Sequence, residues 1–222
     1  MSLRLTVLLA LCSALPVVAR AQAVGLEGKM EGDVYVSPTG AFKLPAPVLP
    51  ELGGKIEDTA NVVTFSDDFN IHLSIACFAL DASQKWELET RGLRDYLLYF
   101  FNEIVLPDFA RRFPGSAIES ARFVPELMDG SLIAYALLPG GSFFEEKNHV
   151  LDSAPANAVT AKRGTLLFVR NSHIFILSTE LAERATQRST YKQTIEQENA
   201  ALSARLTELA NRLVFPAPKP RS

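Results

Sequence analysis

Glu146 and His149 stand three residues apart, a spacing that on a helix puts a carboxylate and an imidazole on one face, as some metal centres require. Asp152 would add a third ligand, and a metal held there would support assisted hydrolysis. The spacing occurs once and follows Pro139-Gly140-Gly141-Ser142, so a solvated polar loop is the commoner reading and no cofactor is expected. Phe143, Phe144, Glu145 and Glu146 are the candidate ligand- or partner-binding residues, because aromatic side chains on a long loop can anchor an interface. Their plainer role would be a small satellite core.

Other groups offer less. Ser66, Asp67, Asp68 and Asn70 are oxygen donors of the kind calcium prefers, but they lack the spacing and closing glutamate of a calcium loop and suit a turn. His72, His149 and His173 are the histidines available as bases, and none adjoins a recognised serine or cysteine motif. Gly-x-Ser-x-Gly, Cys-x-x-Cys and phosphate-binding glycine loops are all missing from the sequence. The expectation is a protein that is not an enzyme, with catalytic residues none.

The elements that would carry these groups are mostly hairpins. Val34 to Val36 and Phe42 to Leu44 read as short strands around Ser37-Pro38-Thr39-Gly40. Asn61 to Phe65 and Ile71 to Leu80 read as a second pair, with Ile71, Leu73, Ile75 and Cys77 on the core face. Cys77 there is a small buried hydrophobe. A helix is expected from about Leu88 to Phe113, kinked at Pro107 and ended by Pro114-Gly115. Its broad apolar surface, with Tyr96, Tyr99 and Phe101, would suit either burial on two sides or self-association.

Ile118 to Met128 should pair with Ser131 to Leu138 across Asp129-Gly130, and Thr165 to Arg170 with His173 to Thr179 across Asn171-Ser172. The long stretch from Pro139 to Lys162 between them is either functional or disordered. A last helix is expected from about Thr190 to Leu213, with Ile195, Leu202, Leu206, Leu209 and Leu213 as its apolar stripe and Glu196 and Glu198 off it. The fold class is therefore α+β, an antiparallel sheet built from hairpins with helices packed on it.

The start of the chain has the form of an export signal. Arg4 precedes the apolar run Leu5 to Leu11, Pro16 breaks it, and Ala19-Arg20-Ala21 offers a cleavage site. The expected division is a cleavable signal over 1–21, a flexible leader over 22–32, one domain over 33–215 and a proline-rich tail over 216–222. The run is too short for a stable membrane span. Cleavage would remove Arg4 and Arg20, leaving 20 basic against 25 acidic residues, and Cys77 as the single cysteine. A mildly acidic chain whose basic pairs Arg111-Arg112 and Lys162-Arg163 are isolated is a poor nucleic-acid binder. The expected location is periplasmic or secreted.

Tyr35 with Gly40, Phe42 and Pro45, then Val62-Val63-Thr64-Phe65, the helix after Leu88, and a final helix running into Leu213-Val214-Phe215 occur in an order that resembles the PsbP-like superfamily. The chain departs from that pattern where members often carry a tryptophan soon after the opening proline, since Val48-Leu49-Pro50 has none. The resemblance implies an α/β/α sandwich and a role in binding or assembly. The expected activity is thus an exported binding protein of the bacterial envelope, engaging a partner protein or small apolar ligand. A metal-assisted hydrolase or a self-associating structural protein are the alternatives.

Overall fold

A computed structural model of the protein describes residues 25–69, 71–139, 160–181, 183–184 and 191–217. Three short strands, β1 (Lys29–Glu31), β2 (Val34–Val36) and β3 (Lys43–Pro45), form a small antiparallel sheet. The main sheet has seven: β4 (Lys55–Asp58), β5 (Val62–Ser66), β6 (His72–Ala79), β7 (Ala117–Val124), β8 (Ser131–Leu138), β9 (Ala161–Arg170) and β10 (His173–Glu180). Their spatial order is β4-β5-β6-β10-β9-β8-β7, with every neighbour antiparallel. The α+β class and the hairpin-built sheet follow the sequence pattern.

Helices cover both faces, because the central strands are apolar on both. Along β9, Leu166 and Phe168 enter one core and Leu167 the other. Helices α1 (Ala82–Arg91), α2 (Leu93–Phe100) and α3 (Leu106–Arg112) lie on one side, where Tyr96, Leu97, Phe100, Phe101 and Phe109 meet Leu132, Leu167 and Ile174. Helix α4 (Ile195–Asn211) and the small sheet lie on the other, with Leu202, Leu206, Tyr35 and Phe42 against Ile75, Phe168 and Phe175. Gly164 lets α4 approach β9, since a Cβ there would stand 3.1 Å from both Leu202 Cβ and Leu206 Cδ1.

Several boundaries differ from expectation, each for a physical reason. Residues 29–31, placed in the leader, are strand β1, and the backbone N–H groups of Glu27 and Gly28 donate to the Asp58 carboxylate. The single helix from Leu88 is instead broken at Gly92, whose φ of 76° and ψ of 161° leave the helical region. Pro107 has no N–H to return to the helix, and just before it Phe101–Val105 form a π turn in which Leu106 N–H bonds Phe101 O. The turn between β7 and β8 spans residues 125–130 rather than two residues, with Met128 and Asp129 at positive φ. The expected Asn171-Ser172 turn is present, both residues having φ near the left-handed value and His173 opposing Arg170. Helix α4 starts five residues later than expected, at a capping box between Thr194 and Gln197.

Candidate functional site

One end of the main sheet gathers the turn before β4, the β5–β6 loop, the end of β10, and the points where residues 140–159 leave β8 and return to β9. The register fixes this: Ser66 faces His72, Leu73 faces Thr179, Glu180 faces Arg163, and Leu138 faces Ala161. Phe143, Phe144, Glu145, Glu146, His149 and Asp152 lie outside the described residues.

Lys162 and Arg163 open β9, and strand alternation sends them into different layers. The Lys162 side chain is wholly buried on the α4 side, where Nζ donates to Glu198 Oε2 at 3.0 Å and also pairs with Glu119. Glu119 is the extra residue of a β-bulge between Ile118 and Ser120, the device that re-aims a strand side chain. Glu198 also accepts from Arg184, at 3.2 Å, and from the Tyr191 hydroxyl, at 2.9 Å. Burial and that bond to Glu198 push the Tyr191 hydroxyl well above the ordinary phenol range. Glu198 sits in the first turn of α4, where the helix dipole favours a carboxylate. Tyr135 completes the brace, donating to Asn199 O at 2.9 Å.

Arg163 points to the α1–α3 side. It donates to Glu180 Oε1 at 2.9 Å and Ser74 Oγ at 3.1 Å, and its guanidinium lies 5.4 Å from the Phe109 ring centre. Burial lowers its pKa from the ordinary value while Glu180 pulls the other way. On α4, Arg205 bonds the Glu180 carbonyl at 3.3 Å and Glu183 Oε1 at 2.5 Å. These groups are bracing rather than reactive: the Lys162 amine meets no solvent, and both cations already face carboxylates.

The remaining candidates resolve individually. Cys77 is buried and desolvation pushes its thiol up to about 12, so the nucleophilic thiolate is scarce at neutral pH. His72 begins β6 and His173 begins β10, so the antiparallel pairing puts them at opposite ends of the sheet. Asp67 Oδ1 accepts from Phe69 N–H at 2.9 Å and Ile71 N–H at 2.8 Å, making the oxygen-rich stretch a self-bonded turn; Asn70 lies outside the described residues. Tyr96 and Phe101 are core residues, as burial on two sides requires, and the half-buried Tyr99 carries the Arg91 guanidinium 4.3 Å above its ring. Among the described residues, no helix is long and apolar enough to cross a membrane.

The buried ion networks were not anticipated, although two signals were present. A Lys-Arg pair inside a strand covered on both faces must put one charge in each layer. Glu198 also stands four residues before Leu202, in line with Leu206 and Leu209 rather than off the apolar stripe.

No family model matches the chain, and no curated protein matches it. Among solved structures, it is similar to cyanobacterial PsbP from Synechocystis, at 12% identity and a TM-score of 0.47 over 90% of this chain and 99% of that one. A point mutant of the protein Mog1 is similar at 12% identity and a TM-score of 0.47, over 84% of this chain and 96% of that one. A Bacteroides thetaiotaomicron protein is similar at 13% identity and a TM-score of 0.40; 87% of this chain matches 52% of that longer one.

Proposed function

We propose that this chain is an exported binding or assembly protein of the bacterial envelope, without catalytic activity, that engages a partner protein or a small apolar ligand at the braced end of its main sheet. The observation that carries the reading is the placement of two buried cations at consecutive positions, Lys162 and Arg163, where residues 140–159 rejoin the sheet. Burying a charge is costly, and a paired buried charge serves register better than stability. Lys162 and Arg163 fix β9 to a different layer on each side, and a one-residue slip would put each in the wrong layer. That rigid base suits the presentation of Phe143, Phe144, Glu145 and Glu146 to a partner.

Export is tested first by the mass of the secreted product: a cleaved chain beginning at Gln22 is expected, and uncleaved protein retained in the cytoplasm would refute it. Chemical cross-linking in producing cells then compares wild type with the Phe143→Ser, Phe144→Ser double variant. The expected result is at least one cross-linked product lost in the variant. An identical product pattern would remove the loop from the account, and the absence of any partner or apolar ligand would remove the binding role.

A further inference from the structure

We propose that Leu49, Leu52 and Phe69 form a docking tip for a short segment of a partner protein that presents an apolar side chain between lysines or arginines. The proposal rests on the binding role above and specifies the partner's chemistry. The three side chains are 57%, 40% and 61% exposed, yet none hangs on a loose segment. Leu49 O accepts from Leu52 N–H and Gly54 N–H, both at 3.0 Å, in the turn around Pro50–Leu52. Asp68 N–H donates to Leu52 O at 3.2 Å, tying that turn to the β5–β6 loop. Asp67 holds the backbone of Phe69 and Ile71 from within the loop. At Gly53, φ is 75° and an added Cβ would stand 2.0 Å from Asp68 Oδ2, so the two turns are closely packed.

Large apolar side chains carried in water on hydrogen-bonded turns cost little backbone entropy on binding, which is the property of an interface anchor. The rim selects the occupant. Among the described residues of 49–55 and 66–72, Glu51 and Asp68 are exposed and Asp67 is half-buried, against one exposed lysine or arginine, Lys55. An acidic rim attracts a cationic segment, is repelled by an anionic lipid surface, and would meet its own acids in a second copy placed tip to tip.

The test uses the mature protein, isotope-labelled for NMR, with two synthetic peptides as probes: Lys-Leu-Lys-Phe-Lys and Glu-Leu-Glu-Phe-Glu. The expected result is saturable shifts confined to residues 49–55 and 66–72 with the basic peptide, weakened at least about tenfold by Phe69→Ser and again by Glu51→Lys. Both positions are exposed, and an unchanged spectrum elsewhere certifies the fold of each variant. Equal response to the two peptides, or shifts outside the tip, would overturn the proposal. So would phosphatidylglycerol vesicles bound through Phe69, or concentration-dependent tip shifts without peptide, which assign the surface to a membrane or to a second copy. Cross-linking in producing cells reads the broader role separately, so partner capture with no peptide response sinks the tip alone.

Discussion

Lys162 is a lysine without solvent, and its worth lies in what its loss would leave behind. Replacing it with methionine would take from Glu119 and Glu198 the cation they share, leaving Glu198 with Arg184 and the Tyr191 hydroxyl, and breaking a buried pair in this way costs up to about 3–5 kcal/mol. Urea unfolding should show that loss for Lys162→Met and a smaller one for Lys162→Met with Glu198→Leu than the two single changes predict together. Losses under about 1 kcal/mol, or simple additivity, would show that the pair is not a brace. His72 adds a pH dependence. Burial lowers its pKa below the ordinary 6.5, with Glu180, Asp67 and Glu183 opposing and Arg205 assisting. The unfolded chain therefore takes up a proton near pH 6.5 that the folded chain refuses. Stability is full above that pH and declines as pH falls through it toward the lower folded value. The urea midpoint should drop more between pH 7.5 and 5.5 in wild type than in His72→Gln; equal drops would contradict the assignment.

Among the elements, the contact of α4 with β9 is the most exacting. A methyl group at Gly164 must displace Leu202 or Leu206, so Gly164→Ala is expected to destabilise by about 1–3 kcal/mol, as overpacking does. Thermal unfolding measures this, with a fall of several degrees expected for a domain of this size, and an unchanged midpoint would mean the helix has room to move. The strands from β5 to β10 and the last helix were legible because alternation and the turn residues, such as Asn171-Ser172, act over a few positions. Strand β4 was not, since Lys55–Asp58 has only Ile56 to bury. The break at Gly92 was hidden by apolar residues continuing on both sides. The braces were missed for a different reason: Lys162 meets Glu198 across 36 residues and Arg163 meets Ser74 across 89, and neither pairing leaves a local pattern.

Seen whole, the molecule has two unlike ends. At one, the chain closes on itself: Phe215 packs edge-on against Phe168 and Phe175, Arg170 lies over its ring, Val214 bridges to Lys43, and the Asn171 side chain bonds Pro216 O. At the other stand the exposed Leu49, Leu52 and Phe69, both buried ion networks, and the two points flanking residues 140–159. Such polarity, with one end covered and one presented, suits the binding or assembly role proposed above. The most direct measurement places a photoreactive residue at Phe144 in one variant and at Glu126, exposed beyond β7 at the closed end, in another. Irradiation of producing cells is predicted to give a discrete product with another protein or an apolar ligand from position 144 and none from position 126. Equal products from both, or none from either, would contradict the account.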